Sequence, residues 1–326
     1  MKFQVLSVIA AIGFMSCGNE TSGSKNIKPL SSGKLNNITV VSSINWWEGA
    51  SGSAVRSIIG GSIYGLPQDE PMFDLYYMPQ DVFSGFTRKN RTVLMLEKSD
   101  SVDVRVLKNV YAQPQTVVKI SGPNDKAVAE QINLQSEEIL KAFQTTEIRE
   151  KQRQIGKSLN KNSVINNHLG LDINFPSAYR IASETEDFVW ARRDIESGSV
   201  NFIVYELPES RFDLSEEMLD QVIAVRDSVG EKYIPGPIEG SFMITEKKYK
   251  ARIIETQIDG QKAYETRSTW ELANAFMAGP FINYTIFDPQ HNRWLVAEGF
   301  VLAPSKEKRS YVLELEAILT SISIQN

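Results

Sequence analysis

Four carboxylates fall close together along the chain, Asp69, Glu70, Asp74 and Asp81, in a stretch broken by Gly and Pro. Two carboxyl groups whose environments push their pKa values apart do general acid and base work, and a pair about 5–10 Å apart is the machinery of glycoside hydrolysis. The simpler role for Asp and Glu beside Pro and Gly is to cap turns and face water. Six aromatics, Trp46, Trp47, Tyr64, Phe73, Tyr76 and Tyr77, surround the same stretch. Aromatics beside acids line sugar and peptide sites, and they also serve to pack a loop onto its neighbours. In an extended segment the adjacent Trp46 and Trp47 point to opposite faces, which leaves one available to a ligand. Trp46, Trp47, Gln68, Asp69, Glu70 and Asp74 therefore form a candidate binding loop.

Other signals are weaker. Gly49-Ala50-Ser51-Gly52 stands between a strand and a helix like a phosphate loop, but it lacks the Gly-Lys-Ser/Thr ending. His168 and His291 are the only histidines, no Gly-x-Ser-x-Gly elbow occurs, and no Asp-x-Asp-x-Asp-Gly run offers calcium a loop. A single cysteine excludes intrachain disulfides and Cys-based zinc sites. No catalytic residue, metal site or cofactor is assigned; whether the chain is an enzyme stays open, with a non-catalytic role favoured.

That one cysteine has a position of its own. Lys2 precedes thirteen uncharged residues, Phe3 to Met15, a secretory hydrophobic region too short to span a bilayer. Phe14-Met15-Ser16-Cys17-Gly18 resembles a bacterial lipobox, which implies a signal peptide over 1–16 and a lipid, palmitate included, on Cys17. Gly18, in place of the Asp that retains such proteins at the inner membrane, points to the outer membrane, on its periplasmic or outer side. Residues 17–34 are rich in Ser, Gly and Asn, the composition of a flexible tether that leaves the body close to the membrane and free to reorient.

Charge narrows the partners. Lys+Arg number 35 against 40 Asp+Glu, giving −5 and a pI near 5.4, so no basic surplus exists to hold nucleic acid. The expected partners are the membrane, through the lipid, and envelope proteins or glycan.

The elements that must position these residues divide at about residue 160. In 35–160, Asn37–Ser43, Thr92–Glu97, Asp103–Leu107 and Thr116–Ser121 read as strands, Gly52–Ile59 as a helix and 60–90 as a long ordered loop. Asn124-Asp125 caps a helix that runs to about Leu159, with a break near Thr145-Thr146, and bridges the halves. In 161–326, strands at Leu171–Phe175, Phe188–Arg192 and Val200–Leu207 precede a helix capped by Asp213 and Glu216. Asp259-Gly260 is a strong hairpin turn between 251–258 and 261–270. A second hairpin joins Phe281–Phe287 to Trp294–Leu302, and an amphipathic helix starting at Ser305 carries Val312, Leu315, Leu319 and Ile322. The order implies an α+β protein of two domains, each a mainly antiparallel sheet packed with helices.

Several strings resemble the DUF4837 family of Bacteroidota lipoproteins, which has no assigned function. They are Leu30–Asn36 (LSSGKLN), Gly65–Leu75 (GLPQDEPMFDL), Phe83–Phe86 (FSGF) and Gln113–Thr116 (QPQT) in the first half. Phe287-Asp288-Pro289, Glu298-Gly299-Phe300-Val301, Ala303-Pro304 and Lys308-Arg309 supply the second. The resemblance implies an envelope location and no activity. The second half is also similar in element order to PsbP/Mog1-like sandwiches, used in binding and assembly. Asp100-Ser101-Val102 and Asp227-Ser228-Val229 fit the short pattern on which Bacteroidota O-glycosylate secreted proteins, with Ser101 in an exposed turn. Three functions compete: a non-catalytic binding or assembly module, a periplasmic hydrolase using the loop carboxylates, and a carrier holding an apolar ligand between the domains.

Overall fold

A computed structural model describes residues 28–325; the expected signal peptide over 1–16, Cys17 and residues 18–27 lie outside the described residues. The first domain runs β1 (Asn37–Ser42), α1 (Ile44–Glu48), α2 (Ala50–Ile58), β2 (Asp74–Pro79), β3 (Thr92–Lys98), β4 (Asp103–Lys108), β5 (Thr116–Gly122), α3 (Asp125–Leu134) and α4 (Ser136–Ile155). Its sheet has the order β2-β1-β3-β5-β4. The α+β, two-domain layout stands, but this sheet is not mainly antiparallel: β1–β2, β1–β3 and β3–β5 are parallel, and only β4–β5 is antiparallel. Parallel neighbours need long crossovers: α1 and α2 lie between β1 and β2 and β4 lies between β3 and β5, while β2 itself falls in the stretch expected to be loop. Near-continuous apolar runs such as TVVKIS of β5 fit strands covered on both sides.

One face, with Ile38, Val40, Leu94, Leu96, Val118 and Ile120, packs on Val55, Ile59, Val128, Ile132, Ile139 and Phe143 of α2, α3 and α4. The other face carries no α-helix, only the short 3-10 turn Gly85–Lys89 and its flanking segments. There Val41, Val93 and Val117 meet Phe83, from the segment that returns from β2 to β3.

The expected single helix is broken at Gln135 instead of at 145–146 and ends at Ile155. It does bridge the halves. Ile139 and Phe143 belong to the first core, Ile148 and Ile155 to the second, and Gln152 Nε2 donates to the Ala317 carbonyl at 3.1 Å.

The second domain contains α5 (Val164–Leu169), β6 (Leu171–Asp172), β7 (Arg180–Glu184), β8 (Phe188–Ile195), β9 (Gly198–Pro208), α6 (Met218–Tyr233), β10 (Phe242–Thr245), β11 (Arg252–Ile258), β12 (Gln261–Ala273), β13 (Ala275–Asp288), β14 (Arg293–Leu302), α7 (Arg309–Leu319) and β15 (Ser323–Ile324). Its antiparallel sheet has the order β10-β12-β13-β14-β9-β8-β7, with β11 also on β12. Asp259 and Gly260, at φ of 50° and 76°, form the tight turn their types demand. Alternation sorts each strand: Leu295, Ala297 and Val301 face α7, while Trp294, Val296 and Phe300 face α6. A Cβ at Gly299 would lie 2.8 Å from Leu315 Cβ, so glycine is what lets α7 lie flat on the sheet. Two helix starts differ from expectation. Asp213 binds the Ser215 N–H in a turn before α6, and α7 begins at Arg309, because Glu70 from the other domain caps it there.

Residues 28–34, expected as the end of a flexible tether, are bonded to the first domain. Ser32 N–H donates to the Lys89 carbonyl at 2.8 Å and Arg91 N–H to the Ser32 carbonyl at 2.9 Å. The Arg91 guanidinium binds the Gly33 and Lys34 carbonyls. Residues 28–34 are thus laid onto the first domain.

Candidate functional site

The string Gly65–Leu75 and the pair Lys308-Arg309 meet in space. Both Glu70 oxygens accept the Lys308 N–H, at 2.8 and 2.9 Å, and one also accepts the Arg309 N–H at 2.7 Å. A buried carboxylate therefore occupies the N-terminus of α7, where orphan N–H groups and the helix dipole favour an anion. Asp74 takes the Arg309 guanidinium in a fork at 3.1 and 2.7 Å, and Gln68 Oε1 accepts the Lys308 ammonium at 3.2 Å. Tyr64 leans on Tyr249, their rings 5.5 Å apart. Three of the candidate loop residues thus form a clasp between the domains. Glu70→Ala is expected to lose about 0.5–2 kcal/mol as a missing helix cap and to speed tryptic cleavage at the exposed Lys157 and Lys161 between the domains. Unchanged cleavage would mean that the clasp does not hold the domains together.

The remaining candidates scatter. Asp69 and Asp81 are exposed. Trp46 and Trp47 lie on α1, which removes the opposite-faces reasoning for an extended segment; Trp47 stacks on Tyr77 at 5.4 Å beneath Arg56 at 4.8 Å. Phe73 is core, against Phe143, so the six aromatics line no common site. Ser101 sits in the exposed turn between β3 and β4. His168 Nδ1 pairs with the Thr185 carbonyl and His291 with Asp288, at 2.7 and 2.8 Å.

At Gly49–Gly52 the anion place is taken. Asp125 accepts the Ala50 and Ser51 N–H groups at 2.6 and 2.9 Å and the Ser51 hydroxyl. Burial pushes the Asp125 carboxyl up, but the bonds from Ser51 and Ala50 outweigh it and hold the group below its ordinary value. A depressed carboxyl contributes stability that is present above its unfolded value and lost as pH falls through the folded one. Asp125→Ala is expected to cost about 0.5–2 kcal/mol at neutral pH, shrinking across that acid window. A cost unchanged down to the bottom of the window would refute this.

Two clefts mark the α-helix-free face of the first sheet. One, of about 260 Å³, is lined by Ser32, Thr39, Tyr76, Met78, Asn90 and Arg91 among others. The second, of about 360 Å³, includes Val41, Phe83, Arg88, Met95, Lys98 and Tyr111. Segment 80–90 contributes to both, and Gln115 holds it: its amide donates to the Arg88 and Asn90 carbonyls at 2.7 and 2.8 Å and accepts the Tyr111 N–H.

Buried charges that sequence reasoning missed lie elsewhere. Arg91 and Glu147 pair in the first domain, and Arg226 and Glu298 pair beneath α6. Under α7, Arg267 joins Glu265 and Glu316 at 2.5 and 2.9 Å. Burial raises both carboxyls; Arg267 brings Glu265 below its ordinary value but leaves Glu316 above it. Such a split suits acid–base chemistry, yet neither cleft reaches these residues. Among the described residues no cluster of His, Cys, Asp and Glu could hold a metal.

Fold and site define a clasped two-domain α+β protein whose first sheet carries α-helices on one face and only the 80–90 and 108–115 segments on the other. The domain of unknown function DUF4837 matches residues 158–321, and the chain belongs to that family. A second domain of unknown function, DUF8532, matches residues 31–156, so the first-half strings, Leu30 apart, fall within its span and outside that of DUF4837. No curated protein matches the chain. Solved structures that match include LpqN, involved in cell envelope biogenesis of Mycobacterium tuberculosis, with 12% identity over 48% of this chain and 83% of that one and a TM-score of 0.29. A Bacteroides thetaiotaomicron structure has 8% identity over 48% and 45%, at 0.27. A STAR-related lipid transfer protein fragment of Xanthomonas axonopodis has 10% identity over 44% and 96%, at 0.21. Likenesses this slight carry no function to the chain. No helix among the described residues is long and apolar enough to cross a membrane.

Proposed function

We propose that this chain is a lipid-anchored protein of the cell envelope, held at the outer membrane through Cys17, whose clasped domains form a non-catalytic binding or assembly module. Its binding surface is the α-helix-free face of the N-terminal sheet. The observation that carries this reading is how the loop carboxylates are used: Glu70 and Asp74 hold Lys308 and Arg309, while two clefts open on a face free of those acids. Hydrolysis of glycan would need two free carboxylates in one cleft, and Asp69, Glu70, Asp74 and Asp81 line neither.

A photo-crosslinking side chain placed in cells at Tyr76 or Met95, on the open face, is expected to give discrete adducts, and one at Glu138, on exposed α4, none. Equal labelling at all three positions would overturn the choice of face. Alkyne-palmitate labelling should disappear in Cys17→Ser; label that persists would overturn the anchor.

A further inference from the structure

The place where the chain enters the folded body coincides with an apolar and basic surface. Leu30 is 81% exposed, Phe86 71% and Val82 51%. These are large apolar side chains left mostly in the open, on segments joined edge to edge. Segment 28–34 is bonded to 89–91 through Ser32, Lys89 and Arg91, and to Gln113 through the Ser31 N–H at 3.1 Å. Gln115 then ties 109–115 to the Arg88 and Asn90 carbonyls.

Charge gathers on the same three segments. Residues 28–36, 80–90 and 109–115 hold Lys28, Lys34, Arg88 and Lys89 against the single acid Asp81, a balance of +3 in a chain whose total is −5, while the neighbouring Lys108 ammonium turns to Thr116 on the α4 side of the sheet. The Lys89 ammonium lies 5.7 Å over the Phe86 ring, and the Arg88 guanidinium 5.2 Å over Tyr111. Apolar tips between cations are what an anionic lipid surface takes up: each cation near such a surface adds about 1 kcal/mol of attraction, and apolar groups enter the headgroup boundary.

The length of chain before this surface identifies the occupant. Eleven residue steps separate Cys17 from Lys28, at most about 40 Å when fully extended. Once Cys17 carries lipid, no other surface is delivered to the bilayer so directly.

We propose that the surface formed by Leu30, Val82 and Phe86 with Lys28, Arg88 and Lys89 seats on the lipid surface that holds the anchor, so that the body is oriented on the membrane and does not tumble on its tether. This rests on the lipid-anchor reading of Cys17 and names the partner of one border of the open face. The lipid holds the chain at the membrane, and a basic, apolar seat adds attraction of its own and fixes which face of the body meets the lipid surface.

The test uses the mature acylated protein in vesicles of phosphatidylethanolamine and phosphatidylglycerol, three to one. Because Cys17 is the only cysteine and its thiol is consumed by the lipid, a cysteine introduced at Asp81, Glu138 or Glu255 can be labelled alone with an environment-sensitive fluorophore. Flotation with the vesicles reports the anchor. Quenching by lipid-borne quenchers, expected to be at least threefold greater at position 81 than at 138 or 255, reports the seat. Leu30→Ser with Phe86→Ser, and separately Arg88→Glu with Lys89→Glu, should reduce that difference at least threefold while flotation persists. Flotation with equal quenching at all three positions would overturn the seat and leave the anchor standing. Absence of flotation would overturn both.

Discussion

Glu147→Ala is expected to cost the N-terminal domain about 3–5 kcal/mol, the penalty for leaving one member of a buried ion pair without its partner. Arg91 and Glu147 are 4% and 1% exposed. Their bonds form a fork, Arg91 Nε to Oε1 at 2.9 Å and Nη2 to Oε2 at 3.0 Å, and Oε2 also accepts the Asn36 N–H at 2.8 Å. Alanine would strand a guanidinium in the core together with a backbone donor, and neither can reach water without opening the entry of the chain. The urea midpoint should fall at unchanged slope, the mark of a change in stability alone. A loss below 1 kcal/mol would mean that the pair is already solvated. The same change releases the support under Gly33 and Lys34, so segment 28–34 should lose hydrogen-exchange protection first and the fluorophore at position 81 should lose its contact with lipid.

The second domain was largely legible because its hairpins are local. Period-two alternation, the Asp259-Gly260 turn and the apolar stripe of α7 each act within a few residues. In the first domain β2, with the sequence DLYYMP, mixes an acid, two tyrosines and a proline and is half-buried along most of its length. Its partner is β1, across a helical crossover, and no local pattern announces a parallel neighbour. The five residues of α1 are too few to show a helical period, so Trp46 and Trp47 looked extended.

For the clasp the difficulty was distance. Glu70 and its partners Lys308 and Arg309 are 238 and 239 residues apart, and what pointed to them was only that both strings carry the family resemblance. The buried charges did leave a trace. Glu298 stands between Val296 and Phe300 on one face of β14, and Arg226 beside Val222, Val225 and Val229 on α6. A charge at a core-facing position of a regular element announces a buried partner, though not which one.

That pair supports the second large effect, in which the single and double substitutions should move in opposite directions. Arg226 Nη2 lies 3.0 Å from Glu298 Oε1, with both side chains at most 1% exposed. Yet neither atom finds an aligned hydrogen-bond partner, and the guanidinium rests 3.9 Å over the Phe281 ring. Burial pushes the Glu298 carboxyl above its ordinary value, and Arg226 and Asn283 offset this only in part. Arg226→Met removes the offsetting charge and is expected to cost about 3–5 kcal/mol at neutral pH. The pH dependence follows from linkage. A carboxyl raised in the folded state binds more protons there than in the unfolded chain, so stability falls as pH rises from the unfolded value through the folded one. The variant should therefore regain stability on acidification across that window. Arg226→Met with Glu298→Gln removes both charges and keeps an acceptor for the buried Asn283 amide, and should recover most of the loss, since a poorly aligned buried pair contributes little net stability. Urea unfolding of wild type, single and double variants at neutral and mildly acidic pH measures all three expectations. A double variant no more stable than the single one would show that Arg226 acts through its packing on Phe281 and its 3.0 Å bond to Thr245, with the charge on Glu298 incidental.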